Sequence, residues 1–274
     1  MSASAETIDT LVAILREAAR LDIMPRFRGE QALEVRHKTS HTDLVTAADE
    51  AAERRITAGL KAAFPGALVV GEEAVAADES LLGTIAGADR VFIIDPIDGT
   101  KNFASSLPLF GIIAALVEKG ETVAGVIYDP VMDDYALGLK GEGAWTIAPD
   151  GRRAPLVAAT PRPLSEMVGH VSWNFFPEPA RSNILRNLVL TAGSADYRCA
   201  AHQYRSLAAG HYDFAIFGKL MPWDHAAGVL IHAEAGGYAA LLDGEPYTAA
   251  RHSGGIICAP DEATWREIRR SIVA

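Results

Sequence analysis

Val91-Phe92-Ile93-Ile94-Asp95-Pro96-Ile97-Asp98-Gly99-Thr100 is the stretch that decides how this chain is read. Four apolar residues, two of them β-branched isoleucines, describe a buried strand, and two carboxylates arrive where it stops. Strand ends are where layered α/β proteins place their ligands. Asp95 and Asp98 stand three residues apart, and Pro96 between them restricts the backbone on both sides. Gly99 allows a sharp turn. If Thr100 opens a helix, the free N–H groups of Gly99 and Thr100 point at an anion. Paired carboxylates beside such a helix start suit a hard divalent cation and a phosphate. The plain alternative is a turn that ends a strand, because Asp, Pro and Gly are ordinary turn residues.

Three further acidic signals favour the first description. Gly71-Glu72-Glu73 also follows an apolar, strand-like run, at 67–70. Trp223-Asp224 opens a predicted helix over 223–234. Upstream, Lys38, Asp43, Thr46 and Asp49 fall within one short segment. Thr46 and Asp49 also have the spacing of a capping box for a helix over 46–64, and a capping carboxylate can face a cleft as well.

The rest of the chain sets bounds. Its 274 residues, 49% hydrophobic and 22% charged, suffice for one compact unit with two lobes, meeting softly near 149–161. A net charge of −10, from 35 acidic and 25 basic residues, argues against nucleic acid or an anionic membrane as partner. No apolar run approaches the ~20 residues a membrane span needs. The N-terminal segment reads as an amphipathic helix carrying Ile8, Leu11, Leu15 and Ala18, not as a signal peptide. With two cysteines outside any CxxC spacing, a reduced, cytoplasmic chain is the simple expectation. Walker A, GxSxG and HExxH motifs are absent, and the eight histidines are scattered, which argues against zinc.

Strands are predicted at 91–94, 109–117, 122–128, 135–139, 144–147, 168–172, 212–217, 238–242 and 256–258. Helices are predicted over 179–191, 201–209, 223–234 and 261–273. The alternation, with its hairpins, describes layered α and β structure around a mixed sheet.

In this order, the blocks Asp43–Asp49 (D-L-V-T-A-A-D), Gly71–Glu73 (G-E-E), Asp95–Thr100 (D-P-I-D-G-T) and Trp223–Gly228 (W-D-H-A-A-G) resemble the inositol monophosphatase family. The hairpin from Gly125 to Ala144 is similar to the family's central one. The resemblance implies an α/β/α/β/α sandwich of the inositol monophosphatase/fructose-1,6-bisphosphatase type, commonly homodimeric. It also implies a phosphomonoesterase using two or three Mg²⁺ per site on a small phosphorylated metabolite. Glu72, Asp95 and the Ile97 carbonyl would hold one ion, and Asp95, Asp98 and Asp224 the second. Asp49 and Thr100, with Glu72 nearby, would orient and deprotonate the attacking water. Gly99 and Thr100 would bind phosphate. Lys38 and Asp43 would sit at the edge of the site.

The substrate half departs from that pattern. The family carries Gly-Thr-Ala before a helix and a Glu seven residues before the Asp of W-D. Here Phe217 stands in the Glu position, and Arg198-Cys199-Ala200 replaces Gly-Thr-Ala when the segment is counted without gaps. Gly193-Ser194-Ala195 fits only with a five-residue insertion, and unbroken connections are preferred. Arg198, with Arg205 nearby, could bind a second phosphate or a carboxylate bidentately, or Arg198 could pair with a surface carboxylate. The missing Glu counts against inositol phosphates and histidinol phosphate, leaving a sugar bisphosphate or 3′-phosphoadenosine 5′-phosphate. Trp173, Phe175 and Phe176 could form a shelf for a base, although a core cluster is the simpler expectation. A different class, a regulatory or binding protein on the same fold, could have lost metal carboxylates; this chain keeps them all.

Overall fold

Residues 3–28, 35–37 and 44–274 are described by the computed structural model. Two mixed sheets alternate with three helical layers, as the resemblance implies. The larger sheet has seven strands in chain order: β3 (Leu68–Gly71), β4 (Arg90–Asp98), β5 (Gly111–Glu118), β6 (Glu121–Asp129), β7 (Asp134–Leu139), β8 (Gly143–Ile147) and β9 (Arg153–Pro155). Only β3 and β4 run parallel; every later neighbour is antiparallel. The smaller sheet holds β10 (Val168–Ser172), β11 (Gly193–Ala195), β12 (Phe214–Phe217), β13 (Tyr238–Leu241) and β14 (Ile256–Ala259), in the order β11-β10-β12-β14-β13. A short hairpin, β1 (Val35–His37) with β2 (Leu44–Thr46), precedes them.

Alternating side chains of β4 show why its core reads as an unbroken apolar run. Phe92 and Ile94 pack toward α1 (Ala5–Ala18) and α2 (Ala47–Ala63), while Val91 and Ile93 face the opposite layer, and all four are fully buried. In α2 the buried stripe is Ala48, Ala52, Ile56 and Leu60, spaced four apart, and the helix stops at Phe64 before Pro65-Gly66. Ser4 caps α1, with Glu6 in its first turn and Arg16 in its last, each matching the helix dipole.

The middle layer joins the two halves of the chain. Helices α6 (Ala200–Ala208) and α7 (Pro222–Glu234) lie between the sheets, touching Ile113, Ala115 and Ile127 on one side and Ala215, Phe217 and Cys258 on the other. Beyond the smaller sheet, Trp265 and Ile268 of α8 (Glu262–Ile268) and Ile184 of α5 (Ala180–Asn187) close the outer core. The segment 149–161 contains β9, so the larger sheet continues through the stretch read as a lobe boundary. No described helix is long and apolar enough to cross a membrane.

Helix α7 lies unusually close to the larger sheet. A Cβ on Gly125 of β6 would stand 2.7 Å from the Ala227 carbonyl oxygen, and one on Gly138 of β7 would stand 2.9 Å from Ile231 Cα. Because both obstacles are backbone, no side-chain rotation relieves them. Gly125→Ala is therefore expected to destabilise the fold by about 1–3 kcal/mol. Chemical denaturation gives the test: an unchanged midpoint would show that α7 can retreat without cost.

Candidate active site

The strand that carries the first carboxylates does not end at Ile94. It continues to Asp98, and its register shifts on the way: Asp95 pairs with Ile113 and Asp98 with Gly111, so Pro96 and Ile97 together oppose one residue. This is a β-bulge, and proline, lacking an N–H, fits it. Asp95 Oδ1 accepts the Ile97 N–H at 3.0 Å, which fixes the turn of the bulge. The kink sends both Asp95 and Asp98 inward, 2% and 8% exposed.

Asp224 joins them from the first turn of α7, the helix pressed onto β6 and β7. Oxygens of Asp95, Asp98 and Asp224 all lie within 4.8 Å of one another, and Glu72 lines the same cleft from the first position of α3 (Glu72–Ala77). Burial pushes the Asp95 carboxyl well above its usual range, and the charges of Glu72, Asp98, Asp224 and Asp49 push it further. Burial also raises Asp98 to about 6, against the hydrogen bonds donated by Ala201 and Cys199. Asp224 is raised to about 8 by burial and then by Asp98, with Lys219 opposing. Three carboxylates that repel one another, with their oxygens within 4.8 Å, fit a hard divalent cation, which would relieve both the burial and the repulsion.

Asp49 is a buried capping carboxylate that also reaches Thr100, a residue of the cleft wall. Its Oδ2 accepts the Thr46 N–H at 2.9 Å and the Thr46 hydroxyl, completing the capping box of α2. Its Oδ1 lies 3.3 Å from the hydroxyl of Thr100, which also reaches the Ile97 carbonyl at 3.0 Å. Thr100 does open a helix, the short α4 (Thr100–Ala104). Gly99 precedes it at φ +87°, where a Cβ would come within 2.9 Å of the Leu109 carbonyl oxygen. Only glycine fits there.

On the substrate side, Arg198 and Cys199 lead into α6, whose first residue is Ala200, and all three line the same cleft. Gly193–Ala195, by contrast, is the edge strand β11. Asp98 Oδ2 accepts the Ala201 N–H at 2.6 Å and the Cys199 S–H at 3.1 Å. Arg198 takes a left-handed backbone, φ +51°, with its N–H donated to Asp196 at 2.9 Å. Its exposed guanidinium comes within 4.0 Å of no carboxylate among the described residues, although its positive charge acts on the neighbouring Asp196. Phe217 is buried against Tyr204, ring centroids 5.1 Å apart, at the cleft wall.

Two expectations need correction. Arg205 bonds Asp134 at 2.6 Å and the Ile127 carbonyl at 3.2 Å, so it ties α6 to the larger sheet and is not available to a ligand. Of the supposed core aromatics only Phe176 is buried; Trp173 and Phe175 are 38% and 50% exposed, and Phe175 lines the cleft. Lys219, in the loop between β12 and α7, also lines the cleft, and no sequence motif marks it. Its position between β12 and the Trp223-Asp224 block was the available signal. Lys38 and Asp43 lie outside the described residues.

Comparison with known proteins agrees with this geometry. The model of the inositol monophosphatase family matches residues 4–273. An inositol-1-monophosphatase of Bacillus subtilis is 33% identical over 221 residues, 80% of each chain. A fructose-1,6-bisphosphatase/inositol-1-monophosphatase of Thermotoga maritima is 31% identical over 249 residues, covering 89% of this chain and 88% of that one. Among solved structures, the extragenic suppressor protein suhB of Bartonella henselae superposes with a TM-score of 0.81 at 29% identity, over 98% of both chains.

The raised carboxylates link stability to pH. Without a cation, the folded protein holds protons that the unfolded chain releases near the ordinary value of 3.8. The stability they contribute is complete below that value and is lost as pH rises through about 6 for Asp98 and about 8 for Asp224. Thermal melts of the chelator-treated protein should therefore fall in Tm across this window, and added Mg²⁺ should flatten the fall. Curves that coincide with and without the cation would refute the link.

Proposed function

The chain belongs to the inositol monophosphatase family of phosphoric monoester hydrolases, and we propose that it hydrolyses a small phosphorylated metabolite with Mg²⁺. The convergence of Asp95, Asp98 and Asp224 beside Glu72 carries this reading. Glu72, Asp95 and the Ile97 carbonyl would hold one ion; Asp95, Asp98 and Asp224 would hold a second. Bound there, divalent cations neutralise the phosphate dianion, lower the pKa of water and stabilise the departing alkoxide.

The side chains supply the rest. The Thr100 hydroxyl can donate to Asp49 Oδ1 while its lone pairs accept a proton from the attacking water. Asp49 Oδ1 then holds that proton, and the two Thr46 donors keep the carboxylate from rotating away. Backbone N–H groups at Gly99 and Thr100 receive phosphate oxygens. No covalent phospho-enzyme is called for: the Cys199 thiol, the nucleophile nearest at hand, donates into Asp98, and burial holds its pKa well above the usual thiol range.

The leaving-group end favours an anionic substrate over a polyol. A polyol needs hydroxyl acceptors, and Phe217 offers none. Arg198 and Lys219 line the cleft with the exposed ring of Phe175, a combination suited to a second phosphate or a carboxylate. A sugar bisphosphate or 3′-phosphoadenosine 5′-phosphate fits better than myo-inositol 1-phosphate. The relative from Thermotoga maritima carries a bisphosphatase name alongside the monophosphatase one. A non-catalytic binding protein has the complete set of carboxylates, with Asp49 and Thr100, against it.

Two sets of measurements test this. Asp95→Asn should abolish Mg²⁺-dependent phosphate release, and Thr100→Ala should lower turnover by something like 10²-fold with metal binding nearly intact. Loss of Mg²⁺ affinity in Thr100→Ala would instead make that residue structural. Across a substrate panel, bisphosphates should be preferred to myo-inositol 1-phosphate, and Arg198→Ala should erode the preference by about tenfold. Equal turnover of both classes, untouched by Arg198→Ala, would overturn the substrate reading.

A further inference from the structure

Glu53 is a buried carboxylate, 6% exposed, to which the hydrolytic reading gives no task. It follows Asp49 by four residues on α2, so both carboxylates leave the same face of that helix. Its Oε2 accepts the Glu73 N–H and its Oε1 the Ala74 N–H, each at 2.8 Å. Both N–H groups lie in the first turn of α3, where the helix offers them no acceptor of its own, and that turn begins with Glu72. Helix α3 has no cap of its own, since Gly71 at the N-cap has no side chain, and a distant carboxylate does that work instead. Gly71 also provides the room: a Cβ there would stand 2.4 Å from Glu53 Cδ.

We infer that Glu53 is a positioning residue that fixes the first turn of α3 and thereby aims Glu72 at the carboxylate cluster. Helix α2 then carries the supports of both groups beside the attacking water. Asp49 engages Thr100 directly, and Glu53 holds the backbone next to Glu72. A carboxylate is required for this, because two outward N–H donors need two acceptor oxygens. Gln supplies one and turns an NH₂ toward the other donor. The inference takes its role for Glu72 from the proposed hydrolysis, but its test reads metal binding and backbone protection.

The experiment compares the wild-type chain with Glu53→Gln, Glu53→Asp and a control, Ile56→Val, which trims a fully buried side chain on the same helix. Mg²⁺ binding is followed by titration calorimetry, and protection of the Glu73 and Ala74 amides by hydrogen exchange. Glu53→Gln should lose protection at the amide that its NH₂ comes to face, Glu73 or Ala74, and bind Mg²⁺ about 10–100-fold more weakly, the usual effect of removing a support behind a metal ligand. Glu53→Asp should recover part of each, and Ile56→Val should match wild type in Mg²⁺ affinity. If Glu53→Gln does not fold, Gly71→Ala drives a methyl group at the same carboxylate and should give the same two effects. Wild-type Mg²⁺ affinity after loss of amide protection would overturn the inference, as would equal weakening in Ile56→Val. A wild-type protein that binds Mg²⁺ yet releases no phosphate from any monoester would count against the hydrolytic reading alone.

Discussion

The burial of carboxylates that also repel one another is the constraint around which this molecule is built. Asp95, Asp98 and Asp224 are held close enough, and far enough from solvent, that their pKa values rise when no cation offsets them. Water could relieve that cost by entering, and a loose fold would let it. The surrounding structure resists. A bulged strand fixes two of the carboxylates, and the third rides on a helix held against bare glycine backbone in β6 and β7. The same framework holds three carboxylate oxygens within 4.8 Å of one another, a spacing that could hold a metal ion.

Much of this was legible in the residues, and where it was not there are physical reasons. The covered strand at Val91–Ile94 announced itself because both of its faces are buried, and the stripe Ala48, Ala52, Ile56, Leu60 announced α2 in the same way. The bulge was read as a strand end, because a proline and a glycine look alike in a turn and in a kinked ladder; only pairing with β5 separates them. Strand β11 and helix α3 were missed because three or six residues carry too little periodicity. Of the site, the carboxylates were readable from their neighbours in sequence. Arg205 was misjudged because its partner Asp134 lies 71 residues away, and Glu53 was passed over because its partners are backbone amides, which leave no mark in a sequence.

The two ends of the cleft obey different rules. At the carboxylate end Asp49, Asp95 and Asp98 are each held by hydrogen bonds from neighbouring residues. At the leaving-group end Arg198 and Phe175 extend into the cleft with little to hold them, and Arg198 sits on a left-handed backbone that non-glycine residues seldom adopt. Rigid chemistry beside adaptable recognition is how one fold serves many phosphorylated substrates.

One contact crosses that division. Asp98 Oδ2 is gripped by the Ala201 N–H and the Cys199 S–H, both from the segment that also presents Arg198. Recognition and chemistry are therefore not separable modules in this chain. Residues 198–201 cannot be exchanged as a cassette without disturbing the Asp98 carboxylate, which two of their donors hold.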